Sequence, residues 1–195
     1  MKKENNLEVL QAEIQVGVSI TAFMTAVTIF FVGLLIANFD KYNISIRIPI
    51  LFLIISTFGF LYSTLIYGNA FGQVARLKSG NFNKHMILGN SISEYIGVYL
   101  LILSMPLVIN VITEDLFLRI ATLVAAFTGL IMYHASGFSI MERNYKKSHY
   151  LLLGLIIFLE IVLFILQSLG SFLAMYFAVG SIIFFIFLTF FARKE

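Results

Sequence analysis

Cysteine and tryptophan are absent from this 195-residue sequence, proline occurs only twice, and charged side chains make up 12% of it. Without cysteine there are no disulfides, thiolate metal sites, iron–sulfur clusters or thiol redox chemistry. The charged fraction is about half the roughly 25% of soluble domains, which excludes an ordinary water-solvated globule. The chain carries no P-loop, HExxH or GxSxG pattern, so nucleotide-driven transport by this chain alone, zincin chemistry and nucleophile-elbow hydrolysis all lack their parts. It also has no TVGYG-type filter and no arginine-periodic voltage helix. A net charge of +3 is too small to suggest a nucleic-acid surface.

What is abundant is hydrocarbon: 60% of the residues are hydrophobic. They fall into runs long enough to cross a bilayer core of about 30 Å. The reading is an all-α, polytopic integral membrane protein, a single membrane domain over 1–195 with six spans near 17–37, 48–67, 93–112, 116–140, 149–166 and 171–191. Residues 4–16 form an amphipathic lead-in with Leu7, Leu10 and Ile14 at helical spacing. No cleavage site follows a short apolar segment, so the first span is expected to be a retained anchor. Ten of the thirteen basic residues lie at the two ends or in the 68–92 and 141–148 loops, whereas Lys41, Arg47 and Arg119 lie on the other side. By the positive-inside rule, both termini and those loops are expected in the cytoplasm.

Glu160 stands out in LLLGLIIFLEIVLFILQ, an otherwise oily run. An ionised carboxyl at that depth costs about 2.5–3.5 kcal/mol on insertion scales, so it is expected to face a partner or water rather than lipid. At 100° per residue, His149 and Gln167 lie within about 20° of its direction, giving one polar stripe on the fifth span. The stripe is expected to face protein. Its functional reading is a proton- or cation-handling site, against an interhelical hydrogen bond as the ordinary reading. His134 near the end of span four is a relay candidate, against a neutral imidazole bonded to a carbonyl. Glu94 is read as part of a capping box, Ser91-Ile92-Ser93-Glu94, at the start of span three. Asp115 and Arg119, four residues apart, are read as an ion pair at the membrane edge.

Pro106 inside span three frees the carbonyl of Ile102 and is expected to kink the helix. Ala121, Ala125 and Gly129 recur every four residues in span four, the spacing that lets helices approach closely. Thr21, Thr25, Thr28, Ser56 and Ser63 are expected to make interhelical hydrogen bonds.

The function expected from these features is transport or permeation of an ion or small solute, with Glu160, His134 and Gln167 as binding or coupling residues. A non-catalytic membrane subunit docking a partner or lipid is the alternative, and a membrane-embedded enzyme ranks third. No catalytic residue, metal or cofactor is expected. The partners expected are the bilayer itself and, because six helices enclose little lumen, a second copy or another membrane protein; the membrane expected is the plasma membrane.

Overall fold

The computed structural model describes residues 2–75, 82–135 and 147–191, with side chains at the edges of these segments (2–7, 74–75, 82–83, 134–135, 147–149 and 191) outside the description. Among the described residues there are seven α-helices and no strand: α1 (Lys2–Ala37), α2 (Arg47–Ala75), α3 (Phe82–Ser91), α4 (Tyr99–Ile112), α5 (Leu116–Ala135), α6 (Lys147–Ser168) and α7 (Leu173–Phe191). A π-helical stretch, Ile92–Val98, joins α3 to α4 into one rod. Six helical segments are long and apolar enough to cross a membrane: Glu8–Ala37, Ile44–Gln73, Lys84–Ile112, Leu116–Tyr133, Tyr150–Ser168 and Leu173–Phe190.

The amphipathic lead-in is continuous with the first span, because nothing in α1 interrupts its hydrogen-bond ladder. The second span overruns its apolar run to Ala75, and the third starts at Phe82, eleven residues earlier than 93. Much of the expected 68–92 loop is therefore helix. The end of span four beyond Ala135 and most of the 141–148 loop lie outside the described residues.

The rod formed by α3, the π turn and α4 is the hub. It packs against α2, α5, α6 and α7, while α1 leans on α2 from outside. The α2 seam is built from small residues. A methyl group on Gly59 would lie 2.8 Å from the Gly97 backbone nitrogen, and one on Gly97 would lie 2.7 Å from the Phe60 ring. Ser56 Oγ donates to the Gly97 carbonyl at 2.7 Å, and Ser63 Oγ donates to the Gly89 carbonyl at 3.0 Å. Gly89, Ser93 and Gly97 recur every four residues on the hub, so backbones approach and hydroxyls bridge them. Between α1 and α2, the Thr64 hydroxyl donates to Thr21 Oγ1 at 2.8 Å, whereas Thr25 and Thr28 bond carbonyls of their own helix.

Helix ends are closed locally. Asn43 accepts from the Ser45 amide at the entry to α2. Asp115 accepts from the Phe117 and Leu118 amides, capping α5. Arg119 accordingly does not form the expected pair with Asp115; its Nε donates to the Thr113 carbonyl at 2.6 Å. Between α6 and α7, Gly170 has φ +63°, Ser171 N–H donates to the Leu166 carbonyl and Gly170 N–H to the Gln167 carbonyl. That is a Schellman motif, and it needs glycine at the left-handed position. Pro106 is buried inside α4, which runs from Tyr99 to Ile112, and Ser104 Oγ donates to the Leu101 carbonyl just before it.

The outer faces carry Phe23, Phe30, Phe117, Val124, Leu151, Phe158, Ile183 and Phe187, exposed and apolar as a lipid-facing surface requires. Ala121 and Ala125 belong to this outward face, and a methyl group on Gly129 would meet nothing within 4 Å. Among the described residues the span-four stripe therefore seats no helix, whereas the equivalent stripe on the hub does. The fold defines a polytopic, all-α integral membrane protein.

Candidate functional site

Three buried polar groupings punctuate this interior, and each arises from how the hub rod is built. The first surrounds Glu94. Ser91 has α-helical backbone angles and makes no capping bond, so the capping-box reading of Glu94 is overturned. The S-x-x-E pattern lies in mid-helix because Met86, Ile87 and Leu88 extend the apolar run upstream and Ser63 fastens the rod at Gly89. Glu94 is left inside the bundle, 4% exposed. In an α-helix, residues five apart point about 140° away from each other. The π turn, whose bonds run from i to i+5, adds about a residue per turn and so reduces that offset. The Tyr99 phenol then donates to Glu94 Oε1 at 3.2 Å.

Tyr99 is walled by rings from three directions: Tyr95 at 5.5 Å, Tyr133 of α5 at 6.2 Å and Phe185 of α7 at 6.2 Å between centroids, all edge to face. Tyr67 and Tyr133 both lie within electrostatic reach of the Glu94 carboxyl. Tyr67 is wedged between Gly17 and Gly89 and donates its hydroxyl to Asn90 Oδ1. One carboxyl, four phenols, an amide and Ser91, whose hydroxyl is buried without a hydrogen-bond partner, thus gather at the π turn. Carboxylate and aromatic faces both attract cations. His134 falls in the last turns of α5, but its side chain lies outside the described residues, as does that of His149.

The second grouping holds Glu160. It is 2% exposed, on the inward side of α6, in a chamber lined by Phe52, Leu103, Leu163, Ser181 and Phe185. The chamber is too small for a water molecule, and Glu160 Oε1 accepts no hydrogen bond.

The third holds Gln167, also 4% exposed. Gln167 does not join Glu160. Its Oε1 accepts from Asn110 Nδ2 at 2.9 Å, its Nε2 donates to the Ser45 carbonyl at 3.2 Å, and Ser168 Oγ donates to Asn110 Oδ1 at 3.0 Å. These bonds tie α4, α6 and the α1–α2 connection together, which makes Gln167 a clamp between helices. Replacing Gln167 with leucine removes the acceptor of Asn110 Nδ2 and the donor to the Ser45 carbonyl, at a cost of about 1–3 kcal/mol. The expected result is a lower thermal midpoint in detergent, with Asn110→Leu/Gln167→Leu together costing less than the sum of the single changes.

Gln167 and Glu160 thus have separate surroundings, the His134 side chain lies outside the described residues, and Glu94 emerges as the functional candidate that the cap pattern concealed. Its available signal was Gly89-Ser93-Gly97, which predicts a buried face continuing upstream of residue 93. Comparison with protein-family models, curated proteins and solved structures finds no match to this chain.

Proposed function

We propose that this membrane protein conducts or transports a proton or small monovalent cation, with Glu94 as its principal site and Glu160 as a second carboxyl on the same interior route. One observation carries the reading: Phe185 packs against Tyr99, the hydrogen-bond donor to Glu94, and also lines the chamber of Glu160. The two buried carboxyls are thereby linked by a continuous line of contacts, from Glu94 through Tyr99 and Phe185 to the Glu160 chamber. A carboxylate at membrane depth is costly, so two of them inside one small bundle favour a role in carrying charge. In this reading Tyr99 positions the Glu94 carboxyl, and Phe185 keeps the route closed between transfers. Both termini are cytoplasmic, as the distribution of basic residues supports, and the protein resides in the plasma membrane, alone or as a homo-oligomer. It acts without catalysing a covalent reaction.

The test is flux in proteoliposomes. Under an imposed pH or potassium gradient, the purified protein is expected to dissipate the gradient, and Glu94→Gln and Glu160→Gln are each expected to reduce the rate tenfold or more. Rates unchanged in both variants would end the transport reading. They would favour a non-catalytic membrane subunit, for which the uncovered Ala121–Ala125 face of α5 offers a docking surface.

A further inference from the structure

Between α6 and α7 lies a groove of about 590 Å³, bordered by Leu155, Leu166, Tyr176, Phe177, Gly180 and Phe184 among others. Its size is in the range of roughly 300–1,000 Å³ typical of small-molecule sites. The rim residues Leu155, Leu173 and Tyr176 are 43%, 51% and 72% exposed, so the groove opens toward the hydrocarbon rather than into the bundle. Leu159 and Ser181 line this groove and also line the chamber that holds Glu160. Those two shared side chains place the apolar groove next to a buried carboxyl whose Oε1 has no hydrogen-bond donor.

We infer that the α6–α7 groove is a laterally accessible binding site for a hydrocarbon-tailed amine, whose head passes Leu159 to pair with Glu160. The tail is specified by the groove, whose walls are almost wholly apolar. The head is specified by the chamber. Ser181 already donates its own proton to the Phe177 carbonyl at 2.9 Å, so its oxygen has lone pairs left to accept. Glu160 Oε1 also needs a donor. An ammonium carries three donors and no acceptor, so it satisfies both oxygens at once. It also forms a pair with no net charge, which an alcohol head does not supply to an ionised carboxylate. The closed chamber has no room for the head, so a rotamer change of the partly buried Leu159 must both open the passage and make space for the ammonium beside Glu160. The site shares Glu160 with the proposed route, but its binding needs no gradient and no contribution from Glu94, so it stands or falls separately from transport.

Photolabelling of the full chain in nanodiscs tests it, using dodecylamine with a diazirine in its chain as the probe. Mass spectrometry is expected to place the label on groove residues between Leu155 and Phe184. Tenfold excess dodecylamine is expected to displace it and dodecanol is not. Glu160→Gln is expected to lower labelling at least fivefold, and Glu94→Gln to leave it unchanged. Gly180→Leu fills the groove from a position where an added methyl group meets nothing within 4 Å, so it preserves the fold and is expected to abolish labelling. Labelling that survives Glu160→Gln, or equal displacement by dodecanol, would reduce the groove to a nonspecific lipid contact and overturn the proposal. Absence of groove labelling in the unaltered chain would overturn it as well.

Discussion

Replacing Gly59 with leucine is expected to eliminate the folded protein, and even Gly59→Ala is expected to cost about 1–3 kcal/mol, roughly a five- to 150-fold fall in the ratio of folded to unfolded chain. The reason is what the new side chain meets. A Cβ on Gly59 falls 2.8 Å from the backbone nitrogen of Gly97 and 2.9 Å from Ile96 Cγ2. A side-chain tip can rotate away, but the hub backbone cannot. Separating the helices enough to admit the methyl group strains the Ser56 bond to the Gly97 carbonyl and the Ser63 bond to the Gly89 carbonyl. In a membrane no hydrophobic force restores the contact, since lipid solvates the exposed faces equally well. Gly129→Ala is the comparison. With open space around it, the same methyl group is expected to leave stability unchanged or raise it by about 0.5–1 kcal/mol through helix propensity. Size-exclusion profiles and thermal midpoints in one detergent check both.

Phe185→Ala is expected to produce the largest change in permeability. The ring sits edge-on to Tyr99 at 81° between planes, and it is 1% exposed. It separates the hydroxyl-rich surroundings of Glu94 from the dry chamber of Glu160. Its removal leaves space that a water molecule can occupy, with the Glu160 carboxyl and the Ser181 hydroxyl available as partners. Passive proton leak into sealed proteoliposomes is expected to rise tenfold or more. Truncating a buried phenylalanine costs about 3–5 kcal/mol, so the variant is scored only where it remains monodisperse. Phe185→Leu, which keeps most of the volume, is expected to stay near the unaltered leak rate. An intact Phe185→Ala protein with unchanged leak would remove Phe185 from the route.

The spans were legible because hydrocarbon thickness sets a length that each apolar run meets. Glu160 and Gln167 were legible as inward-facing because one helical stripe carries both, and the Ser168–Ser171 turn showed its glycine. Glu94 was not. Ser91 and Glu94 have the spacing of a capping box whether or not a helix starts there, and the α-helical backbone of Ser91, inside a rod that begins at Phe82, shows that it does not. The covered small-residue stripe was equally ambiguous. Gly89-Ser93-Gly97 and Ala121-Ala125-Gly129 have the same period, and in lipid an uncovered stripe costs little, so local pattern does not say which one meets a neighbour. The π turn depends on tertiary packing around Tyr99, to which local composition is blind.

Because the chain has no cysteine, a single introduced thiol reports on one position without background. The most direct test of the interior route is the reaction of Glu160→Cys with a small water-soluble thiol reagent, compared with Glu160→Cys/Phe185→Ala. The account predicts a thiol that is unreactive while Phe185 is present and reacts at least tenfold faster once it is gone. Equal reactivity in the two folded proteins would contradict it.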